Sequence, residues 1–108
     1  QPAPLNSQNT FIHRDVFPYY SVWPHVGRMD DIWASYYVRD KFDRNIVYHN
    51  ATVYQERNPQ DLVRNLENEC IGYRHTKTFI ESGYDIQSDF IPDETKSFLE
   101  IYESSFNI

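Results

Sequence analysis

The chain has 108 residues, with ten Lys and Arg against sixteen Asp and Glu and a formal net charge of −6. That length holds one small domain, and the negative balance argues against nucleic acid as a partner, because phosphate backbones demand clustered cations. Val, Ile, Leu and Phe account for 27 of the 108 residues, above the roughly 20% level at which highly charged chains stay disordered, so the chain is expected to fold.

Residues 1–10 carry two prolines and the polar cluster Asn6-Ser7-Gln8-Asn9-Thr10, an irregular start. Residues 11–17 read as a short strand leading into a turn or short helix near Asp15. Pro18 and Pro24 bracket the aromatic stretch Tyr19-Tyr20-Ser21-Val22-Trp23 and exclude a central strand there. Met29, Ile32, Trp33, Tyr36 and Tyr37 recur at steps of three and four, which predicts a helix over residues 30–42. Asp30 and Asp31 at its start and Arg39, Lys41 and Arg44 at its end suit the helix dipole. After the polar turn Asp43-Arg44-Asn45, the runs Ile46-Val47-Tyr48 and Thr52-Val53-Tyr54 read as two short strands, or one strand with an irregular continuation.

Asn58-Pro59-Gln60-Asp61 has the chemistry of a helix start: a capping side chain, proline at the first helical position and an acid in the first turn. Leu62, Val63, Leu66, Cys70 and Ile71 continue at helical spacing, with Cys70 expected as a small buried hydrophobe. Gly72 ends or weakens this helix, the pattern resumes over residues 73–80, and Gly83 is placed to cap its C-terminus. A last amphipathic segment covers residues 92–104, with Phe98, Leu99, Ile101 and Tyr102 on its apolar side. The expected class is α/β: a small single domain or fragment spanning residues 1–108, with three to four helices and a few short strands. Too few strands alternate with helices for a complete doubly wound domain.

No apolar run approaches the about 18 residues of a membrane span, and Gln1-Pro2-Ala3-Pro4 has neither the basic nor the apolar region of a signal peptide. The lone Cys70 excludes an intrachain disulfide and points to a reducing compartment. Cytoplasmic localisation is therefore expected, with the Golgi lumen as the alternative. Residue 1 is Gln, so the chain reads as processed or as a piece of a longer parent.

The densest constellation of chemical groups is Gly27-Arg28-Met29-Asp30-Asp31-Ile32-Trp33. A carboxylate at such a loop-to-helix junction can act as a general base, and Arg28 can orient it or hold an anion. First-turn acids are equally favoured by exposed N–H groups and the dipole, with no chemistry implied. At about 100° per residue, Asp31 lies nearly opposite the face carrying Ile32, Trp33 and Tyr36, while Asp30 lies to one side. Gln8, Asn9 and Thr10 supply the short donors and acceptors that read sugar hydroxyls, or form an ordinary polar loop. Tyr19, Tyr20, Trp23 and Trp33 suit either a sugar face or the core.

His13, His25, His49 and His75 show no paired metal-ligand spacing, and no metal site is expected within the chain. Ser21, Ser35 and Cys70 lack the flanks of a nucleophile elbow. Asn50-Ala51-Thr52 is a formal glycosylation acceptor, and no P-loop or G-x-G-x-x-G is present.

Asn6-Ser7-Gln8-Asn9-Thr10, the downstream residues 13–17 and Arg28-x-x-Asp31-Ile32-Trp33 together resemble the STELLO-type family of predicted glycosyltransferases. Gly27-Arg28-Met29-Asp30-Asp31-Ile32-Trp33-Ala34 is similar to the corresponding run of plant reversibly glycosylated polypeptides, the UDP-arabinopyranose mutases. The likeness covers roughly the first third of the chain and, more loosely, residues 52–58. It implies the C-terminal, acceptor-side portion of a GT-A glycosyltransferase acting on a nucleotide sugar and a hydroxyl acceptor, which is a glycan, lipid or protein. In that frame Asp31 is the candidate general base with Asp30 beside it, and Gln8, Asn9, Thr10, Arg28 and Trp33 are the candidate substrate-binding residues.

A complete parent enzyme of this kind is expected to use Mn²⁺ or Mg²⁺, bound through an Asp-x-Asp motif on an N-terminal donor half. No such motif stands upstream of Asp30, so the donor half is expected in a missing N-terminal segment or a partner chain. The alternative function is a non-catalytic carbohydrate- or protein-binding domain.

Overall fold

A computed structural model describes residues 4–5, 8–42 and 47–106. Three helices carry the fold: α1 (Asp30–Lys41), α2 (Leu62–Glu81) and α3 (Asp93–Ser104). Short 3-10 turns lie at Arg14–Val16 and Gly27–Met29. Among the described residues there is no strand. The expected α/β class is therefore corrected to an all-helical one.

The strands fail for a physical reason. Residues 47–54 are all exposed and form no ladder, and β-propensity measures fit to a half-buried, paired surface that this segment lacks. Ile46 lies outside the described residues. Residues 11–13 likewise form no strand, and the 3-10 turn follows directly, with the His13 imidazole accepting from the Asp15 N–H at 3.2 Å.

α1 begins at the predicted residue. Asp30 Oδ1 accepts from the Asp31 N–H at 2.7 Å, satisfying one of the N–H groups that a helix start leaves unpaired. Five consecutive residues, Trp33 to Tyr37, are buried. A helix buried on more than one side is a central element rather than an amphipathic surface one.

α2 runs unbroken through Gly72. Its N-cap is Asp61, whose carboxylate accepts from the Arg64 N–H at 3.1 Å, so the helix starts just after the Asn58-Pro59 dipeptide rather than on it. Its C-terminus closes as predicted at Gly83, which has a φ of +74°. The Tyr84 N–H donates to the Phe79 carbonyl at 3.0 Å and the Gly83 N–H to that of Ile80 at 3.1 Å. With the Tyr84 and Phe79 rings 5.8 Å apart, this is a Schellman cap with its apolar contact.

The core is aromatic. Trp23 packs edge-on against Trp33, Tyr37 and Phe79, at centroid distances of 6.4, 5.8 and 5.8 Å. Such edge-to-face pairs add to the benefit of area burial. Ile91 and Leu99 complete the core from the α3 side. Polar ties fix the layers: Trp33 Nε1 donates to Thr76 Oγ1 at 3.0 Å, Thr95 Oγ1 donates to the Pro24 carbonyl, and the Tyr37 hydroxyl donates to Glu103 at 2.5 Å.

Of the apolar stripe read from the first half of α2, only Ile71 packs against the core. Leu62, Val63 and Leu66 are exposed, and so is Cys70. This corrects the expectation of a buried cysteine; its thiol donates to the Leu66 carbonyl at 3.3 Å. The face of α2 that the fold covers is instead the row Asn65, Glu69, Gly72, Thr76 and Phe79, because the turn before α1 docks there.

That docking depends on two glycines. Gly27 has a φ of +63°, and a Cβ on it would lie 2.1 Å from the Asn68 carbonyl oxygen. A Cβ on Gly72 would lie 2.2 Å from the Met29 sulfur. Gly27→Ala is expected to cost about 1–3 kcal/mol from the left-handed backbone alone, with the clash against α2 in addition. Urea denaturation checks it, and a midpoint equal to wild type would show that the turn does not need this close approach.

Candidate functional site

The Gly27–Met29 turn clamps α1 to α2 and sets the position of the acidic pair. Arg28 Nε lies 3.0 Å from Glu69 Oε1, and Arg28 Nη1 donates to Asn65 Oδ1 at 3.3 Å. Asn65 Nδ2 in turn donates to Gln60 Oε1 at 3.2 Å, and Gln60 Nε2 donates to the Asn58 carbonyl at 3.0 Å. The Arg28 and Glu69 side chains are 41% and 28% exposed. At that exposure an ion pair adds little stability; its effect is to hold the guanidinium in one orientation.

Arg28 forms part of a polar cleft of about 340 Å³, together with Gln8, the run 55–58 and Gln60. Guanidinium, amide and carboxylate groups dominate this lining, the set that recognises hydroxyls and phosphates by directional hydrogen bonds. Asn9 joins the same two chain segments nearby, its Nδ2 donating to Thr52 Oγ1 at 3.2 Å. The segment 47–61 has no helix or strand. Loops of that length are usually functional or disordered, and this one supplies more than half of the cleft residues.

The sequence-predicted residues are distributed as follows. Gln8 and Arg28 come together in the polar cleft. Asn9 and Thr10 line a second, larger cleft of about 700 Å³ between the N-terminal arm, α1 and residues 47–51. Trp33 is 0% exposed and is a core ring, with no face presented to a ligand. Asp30 and Asp31 are half-buried in the first turn of α1 and line neither cleft.

Their charges act on Tyr20, which lines the larger cleft. Burial first, then the charges of Asp31 and Asp30, push the Tyr20 hydroxyl up to about 12. Burial, followed by the hydrogen bond to Glu103, also raises the Tyr37 hydroxyl. Both phenols are held neutral by the fold. A raised folded-state pKa means that the stability they support is complete below the ordinary value of about 10 and is lost as pH rises through the folded value. Thermal stability is thus expected to fall between about pH 10 and 12, and Tyr20→Phe should flatten that fall. A pH-independent melting temperature across that window would contradict it.

The residues 55–58 and Gln60 escaped selection as candidate site residues. Their signal was present in the sequence as a polar run, Gln55-Glu56-Arg57-Asn58, with no apolar period to assign it to a packed element. Among the described residues no group of three or more His, Cys, Asp or Glu is arranged to hold a metal ion. The donors of the described residues do not assemble a Mn²⁺ or Mg²⁺ centre. No helix among the described residues is long and apolar enough to cross a membrane. Comparisons with protein-family models, characterised proteins and solved structures return no match to this chain.

Proposed function

We propose that this chain is the acceptor-side part of a nucleotide-sugar-dependent glycosyltransferase, with the polar cleft binding sugar hydroxyls and Asp31 as the general base. One observation carries the reading. The stretches that resemble glycosyltransferases are distant in sequence, yet Gln8, Arg28 and residues 55–58 share one cleft, and Asn9 bonds to Thr52 beside it.

In the proposed step, the Asp31 carboxylate takes the proton of the acceptor hydroxyl as that oxygen bonds to the anomeric carbon. The nucleoside diphosphate departs with the bonding electrons. Arg28, oriented by Glu69 and Asn65, holds the acidic turn or an anionic group of the substrate. The nucleotide and any divalent cation belong, on this reading, to a donor-binding half outside these residues.

A second reading, a non-catalytic carbohydrate-binding module, is favoured by the absence of Asp31 from the lining of either cleft. Transfer from nucleotide sugars by the parent polypeptide, compared with its Asp31→Asn variant, tests the choice. Loss of turnover with sugar binding retained supports the base assignment, and equal turnover in both removes it.

A further inference from the structure

α2 carries a second face, which the described residues leave exposed. Val63, Leu66, Cys70 and Tyr73 follow at steps of three, four and three, the alternation that lines a seam between two helices, and Leu62 stands one turn before Leu66 beside them. At about 100° per residue, this row lies roughly a third of a turn around the helix from the covered row Asn65, Glu69, Gly72, Thr76 and Phe79. Leu62, Val63, Leu66 and Tyr73 are 75%, 67%, 53% and 73% exposed, and Cys70 is exposed as well. A contiguous apolar face on an otherwise charged helix marks an interaction surface rather than scattered surface residues.

The charges beside the row identify its occupant. On the flank turned away from the fold stand Glu67 and Arg74, both exposed, and neither side chain forms an ion pair or hydrogen bond with another described residue. They occupy equivalent positions, each one residue after a seam residue, and such flanking positions face their counterparts across a paired seam. When a second copy of α2 runs antiparallel, with Val63 opposite Tyr73 and Leu66 opposite Cys70, Glu67 of each copy meets Arg74 of the other. The helix is thus complementary to its own reverse.

The other charges of α2 do not oppose this register. Glu69 is held by Arg28 on the covered side, and Asp61 caps the helix. Arg64, one turn before Glu67, and His75, stacked on Phe90, stand on the side of α2 opposite the seam. Lys77 and Glu81 approach each other at 3.9 Å beyond the overlap, which spans residues 62–74. Parallel pairing would instead set Arg74 against Glu69, already engaged by Arg28, and Leu62 against Glu67.

We propose that this face docks a second copy of the chain, the two α2 helices running antiparallel across Val63, Leu66, Cys70 and Tyr73. Removal of apolar surface from water drives the contact, while the two exposed Glu67–Arg74 pairs set direction and register more than affinity. The contact is isologous, as a two-fold dimer requires, and its short seam places it in the small, transient class. It shares no residue with the lining of either cleft, so it is independent of the function proposed above.

Sedimentation equilibrium of the chain from micromolar to millimolar concentration tests it, under reducing conditions. Each copy carries a net charge of −6, so the salt is set at about 0.15 M, where repulsion beyond about 8 Å is screened. A reversible monomer–dimer equilibrium is expected. Leu66→Glu, at an exposed position that the monomer does not need, should leave only monomer. Glu67→Arg and Arg74→Glu should each weaken the dimer about tenfold, because two symmetry-related pairs turn repulsive at once, and the double variant should return it to near the wild-type affinity.

A chain that stays monomeric throughout overturns the proposal, as does a dimer indifferent to Leu66→Glu or a double variant no tighter than the single ones. Oxidation adds a check on direction. In the antiparallel register the two Cys70 residues are offset by about 6 Å along helices whose axes lie about 8–10 Å apart, outside the reach of a disulfide. Ready formation of a Cys70–Cys70 disulfide would place the helices parallel and contradict the arrangement. None of these outcomes bears on sugar transfer.

Discussion

Trp23→Ala is expected to remove about 3–5 kcal/mol of stability, the range for truncating a buried aromatic. Trp23 is 1% exposed and contacts rings from α1 and α2 at once, so its loss leaves a cavity bounded by Trp33, Tyr37 and Phe79. These neighbours are themselves pinned, Trp33 by Thr76 and Tyr37 by Glu103, and cannot easily collapse into the space. For a domain whose total stability is about 5–15 kcal/mol, the loss leaves a marginal fold.

Thermal unfolding followed by near-ultraviolet circular dichroism should show a midpoint lowered by more than about 10 °C. Trp23→Phe should cost much less. It retains a ring and removes an indole N–H that is buried without a hydrogen-bond partner among the described residues, so part of the packing loss is offset. A Trp23→Ala protein within about 1 kcal/mol of wild type would show that the aromatic cluster is not what holds the helices together.

On the proposed glycosyltransferase reading, Asp31→Asn is expected to lower sugar transfer about 10²- to 10⁴-fold, the usual contribution of a general base. The substitution keeps shape and hydrogen-bonding capacity while removing the proton acceptor. Asp30→Asn is the matched control. Asp30, the first residue of α1, accepts from the Asp31 N–H through its side-chain oxygen, and an Asn amide oxygen can accept the same bond. The fold should survive both changes and turnover should respond mainly to the first. If Asp30→Asn has the larger effect, the base is misassigned within the pair; if neither matters, both acids serve only the helix.

The helices were largely legible because their signals are local. The apolar period of α1 and the Gly83 cap each depend on a few neighbouring residues, and each helix was expected within a few positions of where it lies, though the cap of α2 is Asp61 and not the expected Asn58. The class was misread because Val47-Tyr48 and Thr52-Val53-Tyr54 have strand-like composition, whereas a strand needs a partner that lies elsewhere in the chain. Periodicity also misplaced the buried face of α2. The covered row holds Asn65, Glu69 and Gly72, selected by the docking of Arg28 and Met29, while the conspicuous apolar positions Leu62, Val63 and Leu66 stay exposed.

The candidate site divides in the same way. Arg28 and Gln8 were legible as polar residues in suggestive runs, and the structure brings them together. Trp33 matched the same runs, yet its position on α1 places it in the core, which composition cannot reveal. Residues 55–58 were hidden because a cleft formed by an irregular segment has no period to read.

A ¹⁵N–¹H titration of this chain with soluble oligosaccharides and nucleotide sugars tests the carbohydrate reading most directly. Saturable shifts confined to Gln8, Arg28, residues 55–58 and Gln60, weakened by Arg57→Gln, are the predicted result. Shifts absent at millimolar sugar, or scattered without regard to the polar cleft, would contradict it.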